Sequence, residues 1–156
     1  MKTGFYAGSF DPFTEGHLHV IKTASGLLDR VIIGIGVNSK KARRYDKDVM
    51  KEAIERVLRR EQILNATVIC YEGITTDAAS EHNATILISG LRNNIDYDYK
   101  ENLAQINEEI SEMDTIYIRA GKLGCISSSR VMELLKAGKD VSSYVPKEVL
   151  EMICEK

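Results

Sequence analysis

Short β-rich segments alternate with longer helical segments along this chain, and this alternation most constrains the fold it can adopt. The strand candidates are rich in Gly, Val, Ile, Thr and Tyr, and they cover residues 4–9, 31–37, 67–71, 85–88 and 115–118. The segment 31–37 is an uninterrupted apolar run, which is typical of a parallel strand that is buried on both faces. Between these segments lie amphipathic stretches that are too long to be strands.

The helical stretches carry their apolar residues on one face. Apolar residues recur at i, i+3 and i+4 over positions 20–28 and 49–58, and at Tyr99, Leu103, Ile106 and Ile110. Gly138 is predicted just past the end of a helix, and Pro146 suits the first turn of the last one. The alternation predicts an α/β fold with a Rossmann-like, doubly wound, five-stranded parallel sheet and helices on both faces. A length of 156 residues predicts one domain, residues 1–156.

Composition excludes several classes of protein. The 21 basic and 23 acidic residues give a net charge of -2, which argues against a nucleic-acid surface. No apolar run approaches the ~18 residues of a membrane span, and residues 1–3 lead into a strand without a signal-peptide pattern. Cys70, Cys125 and Cys154 lack metal-ligand spacing, so we expect three reduced thiols, two of them in the core, and a cytoplasmic protein.

The carboxyl ends of the strands are where a doubly wound sheet binds its ligand, near the point where the strand order reverses. The segments to search are therefore 8–17, 37–45, 72–76, 89–95 and 119–130. No P-loop pattern occurs, and Gly34-Ile35-Gly36 lacks the third glycine of a dinucleotide site. A P-loop NTPase and a common NAD-binding domain are both disfavoured.

The segment that joins the first strand to the first helix carries the most chemical information. It reads Gly8-Ser9-Phe10-Asp11-Pro12-Phe13-Thr14-Glu15-Gly16-His17. Backbone N–H groups at the helix start favour an anion, Gly16 allows its close approach, and His17 adds a side-chain donor. Alone, His17 could equally be a helix-start residue without a chemical role.

This segment resembles the nucleotidylyltransferase superfamily, whose (T/H)xGH core corresponds to Thr14-Glu15-Gly16-His17. Ile126-Ser127-Ser128-Ser129 resembles a phosphate loop of the same superfamily. Gly90-Leu91-Arg92, the segment 96–99 and the tail 140–146 are similar to the phosphopantetheine adenylyltransferase family, as are Asn107 and the chain length. At two positions the chain departs from that pattern: Ser89 replaces an arginine that helps to hold the acceptor phosphate, and Lys100 replaces a glutamate that contacts ATP.

The resemblance implies transfer of the adenylyl group of ATP to 4′-phosphopantetheine, with dephospho-coenzyme A and pyrophosphate as products, in coenzyme A biosynthesis. It implies that His17 stabilises the transferring phosphate and that Lys41, or its neighbour Lys40, neutralises the acceptor phosphate. It also implies Mg²⁺ bound with ATP rather than by protein ligands, and a homohexamer. The residues expected to bind ATP are Ser9, Phe10, His17, Gly90, Leu91, Arg92, Lys100, Leu123, Gly124, Cys125, Ile126, Ser127, Ser128 and Ser129. Those expected to bind the acceptor are Ser9, Lys41, Thr75 and Ser89.

Ser89 and Lys100 leave two alternatives open. One is a related adenylyl- or cytidylyltransferase with another phosphate acceptor, and the other is a nucleotide-binding protein without catalysis. A panel of acceptors with pyrophosphate release as the readout separates them. Arg43 and Arg44 lie in the same loop as Lys41, and we expect them to supply the positive charge that Ser89 lacks.

Overall fold

A parallel sheet of five strands, in the order β3-β2-β1-β4-β5, forms the centre of the molecule. The computed structural model describes residues 1–154. The strands are β1 (Thr3–Gly8), β2 (Arg30–Gly36), β3 (Ala66–Tyr71), β4 (Ile86–Leu91) and β5 (Asp114–Arg119). β1 pairs with β2 on one side and with β4 on the other, so the strand order reverses between β1 and β4. The doubly wound parallel sheet is confirmed.

β4 is longer than its apolar run predicted. The prediction ended this strand at residue 88, but Ser89, Gly90 and Leu91 continue the parallel pairing with residues 117–119 of β5. Sequence pattern misses this extension because the apolar run stops at Ser89-Gly90. Ser89 and Gly90 therefore lie in a strand of fixed register rather than in a loop.

Within residues 1–154, six α-helices cover the two faces of the sheet. They are α1 (Glu15–Leu27), α2 (Lys47–Arg60), α3 (Thr75–Glu81), α4 (Asn94–Ser111), α5 (Ser128–Lys136) and α6 (Lys147–Cys154). The larger core cluster joins one sheet face to α1, α2, α5 and α6, while a smaller cluster around Phe5 lies on the other face with α3. Helices on both faces are confirmed. Gly138, with φ +72°, follows the end of α5 as predicted.

Not every residue of the predicted apolar faces is buried. Leu27 and Val49 are exposed, and each lies at or near an end of its helix. The larger departure is α4, where the predicted apolar stripe is exposed and Asp96 is the buried residue. This helix turns a carboxylate toward the sheet and apolar side chains toward solvent.

The cysteines correct a second expectation. Cys125 and Cys154 are exposed and Cys70 is partly buried, so the prediction of two core cysteines is wrong. Cys125 lies in the turn before α5, and Cys154 is the last residue of α6. Within residues 1–154, no helix combines the length and apolar character that a membrane span requires.

Candidate active site

A cavity of about 550 Å³ opens at the carboxyl ends of β1 and β4, where the strand order reverses. The starts of α1, α4 and α5 complete its wall. Twelve of the residues predicted for the site line it: Ser9, Phe10, His17, Ser89, Gly90, Leu91, Arg92, Lys100, Ile126, Ser127, Ser128 and Ser129. Residues that are far apart in the sequence therefore meet here, as the topology rule predicts.

The start of α1 holds His17 in one tautomer. Thr14 caps the helix by accepting a hydrogen bond from the His17 backbone N–H at 3.3 Å, and the Thr14 backbone N–H donates to His17 Nδ1 at 3.0 Å. Because Nδ1 accepts this hydrogen bond, it carries no proton, and the ring proton of neutral His17 lies on Nε2. His17 is therefore built as a hydrogen-bond donor through Nε2.

Aromatic rings enclose His17 and keep it uncharged. The Phe10 ring meets it edge-on with centroids 4.9 Å apart, and the Phe13 ring stacks on it at 5.5 Å. Burial, together with the positive charges of Lys100 and Arg92, lowers the pKa of His17 to about 3. A neutral imidazole that donates from Nε2 can bind a phosphate oxygen at neutral pH.

Phe10 reaches this position through an unusual backbone. Its φ is +47°, in the left-handed region that bulky residues rarely adopt. Its ring lies over Gly8, where an added Cβ would meet the ring at 3.0 Å. A side chain at position 8 would therefore press on the Phe10 ring, which forms one wall of the His17 pocket.

Arg43 and Arg44 hold the loop at residues 9–11 in place. The Arg43 guanidinium donates to the carbonyl of Ser9 at 2.7 Å and to that of Tyr45 at 2.9 Å, and the Arg44 side chain donates to the carbonyl of Asp11 at 2.8 Å. Asp11 in turn accepts the backbone N–H groups of Arg44 and Tyr45. Neither arginine lines the cavity. Arg43 donates from Nε, Nη1 and Nη2 to backbone carbonyls, so the structure contradicts the expectation that it replaces a phosphate-binding arginine. The exposed Arg44 side chain is held through Nη1 alone, and its expected role stays a prediction.

A buried carboxylate links the cations on the opposite wall. Asp96 accepts the Arg92 backbone N–H at 3.0 Å, and it pairs with the Arg92 guanidinium at 3.5 Å and with Lys100 Nζ at 3.3 Å. Lys100 Nζ also donates to the carbonyl of Gly90. Burial lowers the pKa of Lys100, and the charge of Asp96 opposes that shift. Sequence analysis did not single out Asp96 as a site residue, although its i−4 and i+4 neighbours are both cations.

The start of α5 meets the start of α1. Ser127 caps α5 by accepting the Arg130 backbone N–H at 3.1 Å, and Ser128 Oγ donates to the carbonyl of Pro12 at 2.7 Å. Gly16 faces this junction, where an added Cβ would lie 3.6 Å from the carbonyl oxygen of Ile126. Two helix N-termini thus border one cavity, an arrangement that favours an anionic ligand.

A second, smaller cavity of about 130 Å³ adjoins the first through Ala7, Ser89, Lys100 and Leu103. Thr75, Asn107 and Thr115 line it, and the buried Oγ1 of Thr115 has no hydrogen-bond partner among residues 1–154. The Thr75 hydroxyl lies 2.9 Å from that of Tyr71. This cavity offers polar partners on an apolar floor.

Four predicted residues line neither cavity. Lys41 lies in the exposed loop before α2, and residues 123–125 form the turn that precedes α5. The roles expected of Lys41, Leu123, Gly124 and Cys125 stay predictions. Among the residues lining the main cavity, the single carboxylate is that of Asp96, and it is already paired.

Comparison with known proteins places this chain in a family. The cytidylyltransferase-like family model matches residues 5–134. The chain is 35% identical over 158 residues to the phosphopantetheine adenylyltransferase of Lachnoclostridium phytofermentans, covering 100% of this chain and 96% of the relative. The phosphopantetheine adenylyltransferase of Alkaliphilus metalliredigens is 38% identical over 162 residues, with 100% and 99% coverage. The chain belongs to the phosphopantetheine adenylyltransferase family.

Solved structures agree on the fold. A structure from Vibrio parahaemolyticus assigned as a nicotinate-nucleotide adenylyltransferase matches with a TM-score of 0.70 at 19% identity, over 99% of this chain and 100% of that one. The bifunctional NMN adenylyltransferase/ADP ribose pyrophosphatase of Francisella tularensis matches with a TM-score of 0.67 at 18% identity, over 92% of this chain and 44% of that one. These structures share the fold with the phosphopantetheine adenylyltransferase family member described here.

Proposed function

We propose that this protein transfers the adenylyl group of ATP to 4′-phosphopantetheine, giving dephospho-coenzyme A and pyrophosphate. The observation that carries the proposal is the main cavity, which a neutral, Nε2-donating His17 lines together with the start of α5 and the paired cations Arg92 and Lys100. Full-length similarity to phosphopantetheine adenylyltransferases supports the choice of acceptor.

The chemistry needs no general base. An ionised oxygen of the acceptor phosphate attacks the α-phosphorus of ATP, and the bond from that phosphorus to the oxygen bridging to the β-phosphorus breaks as pyrophosphate leaves. Because the attacking oxygen is already charged, catalysis consists of alignment and charge stabilisation. His17 Nε2–H would donate to the α-phosphate as negative charge redistributes on it. The low pKa keeps this group a donor without the cost of a buried positive charge.

ATP would occupy the side of the cavity bordered by α5. The N–H groups of residues 127–129 and the hydroxyls of Ser127 and Ser129 suit the β- and γ-phosphates, whereas the Ser128 hydroxyl already donates to the carbonyl of Pro12. The Arg92 guanidinium adds positive charge. Gly90 lines the same wall, and an added Cβ there would meet the Val20 side chain at 3.1 Å. Ser9, Phe10 and Leu91 complete this wall, and we keep Leu123, Gly124 and Cys125 as the turn that positions it.

The acceptor would enter from the smaller cavity. Its pantetheine arm carries amide groups along an aliphatic chain, which suits the apolar floor and the unpartnered Thr115 hydroxyl. Thr75 and Ser89 also line this cavity and would add polar contacts. Lys41 would reach the acceptor phosphate only by movement of its exposed loop toward the cavity.

Mg²⁺ would enter as part of the nucleotide substrate. The carboxylate available in the main cavity is Asp96, and its oxygens are already engaged by Arg92 and Lys100. We therefore propose that triphosphate oxygens and water coordinate the ion, which offsets charge on the leaving pyrophosphate.

A homohexamer in the cytoplasm completes the proposal. Ile95, Tyr99, Leu103, Ile106 and Ile110 form one exposed apolar stripe along α4, with exposed fractions from 43% to 84%. A contiguous apolar surface of this kind marks an interaction site, and a second copy of the chain is the partner that the family resemblance supplies.

Turnover of ATP with 4′-phosphopantetheine tests the proposed function. We expect dephospho-coenzyme A, identified by mass, with an equal amount of pyrophosphate. A panel with nicotinate mononucleotide, nicotinamide mononucleotide and a polyol phosphate as acceptors is the control. Turnover of another acceptor alone, or ATP binding without pyrophosphate release, would contradict the proposal.

A further inference from the structure

The junction between the two cavities contains one cation. Ser89 and Lys100 both line the main and the smaller cavity. Of the residues that line the smaller cavity, Lys100 is the one that carries a charge. It also lies close enough to His17 to lower the pKa of that imidazole. Lys100 is therefore at the point where a ligand extending from the smaller cavity would approach His17.

Two neighbouring anchors hold Lys100 at this junction. The carbonyl of Gly90 and the carboxylate of Asp96 both accept from its Nζ. An ammonium group has three N–H donors, so one donor is left for a ligand. Because Asp96 is shared with Arg92, one carboxylate faces two cations, and the wall keeps a net positive charge that a phosphate can neutralise.

The two positions where the chain departs from the family pattern are neighbours in space. Lys100 reaches the carbonyl of the residue that follows Ser89. The family pattern has an arginine at position 89, and this chain instead places Lys100, on α4, at the same junction. A serine hydroxyl alone could not offset a phosphate dianion, whereas an ammonium can do so as a point charge.

From this geometry we propose that Lys100 binds the phosphate of the acceptor and that the pair Ser89 and Lys100 replaces the arginine of the family pattern. The inference rests on the proposed function, because it takes 4′-phosphopantetheine as the acceptor. It also departs from the sequence-based expectation that Lys100 contacts ATP. Lys100 determines specificity for a phosphorylated acceptor, while Arg92 and the start of α5 serve the nucleotide.

Binding of matched ligands to Lys100→Met tests this role. The dissociation constants of 4′-phosphopantetheine, of pantetheine without its phosphate and of ATP are measured by calorimetry. We expect the affinity for 4′-phosphopantetheine to fall about 10- to 100-fold, the usual cost of a lost charged hydrogen bond, while those for pantetheine and ATP change by less than about threefold. Lys51→Met, which removes a half-buried lysine of α2 that lines neither cavity, is the matched control.

Two further variants separate charge from structure. Lys100→Gln keeps a donor for the Gly90 carbonyl without the charge, and it should lose phosphate affinity as Lys100→Met does. Ser89→Arg combined with Lys100→Met should recover the preference for 4′-phosphopantetheine over pantetheine. Unchanged phosphate affinity in Lys100→Gln, an equal loss for both acceptors, or a loss confined to ATP would overturn the inference. A wild-type protein without turnover overturns the proposed function as well, whereas an active wild type with unaffected variants overturns the inference alone.

Discussion

At the scale of single residues, His17 joins structure and chemistry in one side chain. The capping box that starts α1 also fixes the imidazole tautomer, because the Thr14 backbone N–H occupies Nδ1. The same ring would be an ordinary capping histidine on an open surface. Enclosure by Phe10 and Phe13 makes it a neutral donor facing a cavity.

Replacement of His17 tests this role directly. We predict that His17→Ala remains folded and lowers kcat by at least ~10²–10³-fold, the usual cost of losing a donor to developing charge. The expected KM values change less than kcat, because the donor matters most in the transition state. Steady-state kinetics with circular dichroism as the folding control measures both. Wild-type turnover in this variant would rule out the assigned role.

The protonation state of His17 gives a second prediction. A pKa of about 3 means that the imidazole stays neutral from pH 8 down to pH 5, so its Nε2–H donor persists over this range. The unfolded chain has an ordinary histidine pKa near ~6.5, so the contribution of this group to stability decreases as the pH falls from about 6.5 toward 3. ¹⁵N-detected NMR, with His17→Ala to assign the signal, should show an Nε2–H tautomer without titration. A midpoint near pH 6.5 would contradict the geometry.

Arg43 supports the site from outside the cavity. Its guanidinium is largely buried and donates to the carbonyls of Ser9 and Tyr45. We predict that Arg43→Ala lowers the melting temperature and lowers kcat/KM for both substrates together, because the loop at residues 9–11 loses its position. Thermal melts and two-substrate kinetics measure this, with Lys22→Ala on the outer side of α1 as the control. If Arg43→Ala raised only the KM for the acceptor, Arg43 would instead bind the acceptor phosphate, as the sequence suggested, and the prediction would be wrong.

At the scale of elements, a charged pair joins α2 to α6. Arg60 donates to both carboxylate oxygens of the buried Glu148, at 2.7 and 3.0 Å, and this contact lowers the pKa of Glu148. The two partners are not equivalent, because Arg60 is one-third exposed and can be rehydrated whereas Glu148 cannot.

This asymmetry predicts unequal costs for the two deletions. Arg60→Met should lower the free energy of unfolding by about 2–4 kcal/mol because it leaves the buried Glu148 carboxylate without a charged partner. Glu148→Gln should lower it less, by about 1–2 kcal/mol. The pair contributes above the ordinary glutamate pKa of about 4.5, and that contribution is lost as the pH falls below it. Urea unfolding at pH 7 and pH 4 measures the effect, with the more exposed α2–α6 pair Arg56–Glu151 as the control. Equal costs for the two variants would contradict the burial argument.

Sequence reasoning predicted the element types and the site loops better than the contacts within the site. The apolar run of β2 and the turn chemistry of residues 8–17 are local signals, so the parallel sheet and the position of His17 at the carboxyl end of β1 followed from general rules. The use of Arg43 on a loop and of Asp96 between two cations depends on which side chains meet in space. Composition and spacing carry no such information, which is why both residues were misjudged or missed.

At the scale of the whole molecule, the two faces of the sheet are unequally covered. Four helices pack on one face, and the larger core cluster lies there. On the other face α4 buries Asp96 and leaves its apolar stripe exposed. The spacing of the apolar residues correctly predicted that they share one face of α4. The same spacing cannot tell whether that face packs on the chain's own sheet or on another copy of the chain. The stripe also reaches the site, since Tyr99 and Leu103 line the main cavity.

Assembly through α4 is the last prediction. Ile106 and Ile110 are 52% and 56% exposed and line neither cavity, so replacing both with lysine should leave the chain folded. In an assembly the two lysines would be buried without a partner charge at every interface. The free-energy cost of burying them is far larger than the stabilisation that contacts at the rim of an interface provide. We therefore expect light scattering to give a mass near the 17.5 kDa of one chain for this variant and near six times that mass for the wild type. Leu64→Lys changes a fully exposed leucine away from the stripe and should leave the assembly intact. An unchanged mass for Ile106→Lys/Ile110→Lys would show that the copies, if they associate, use another surface.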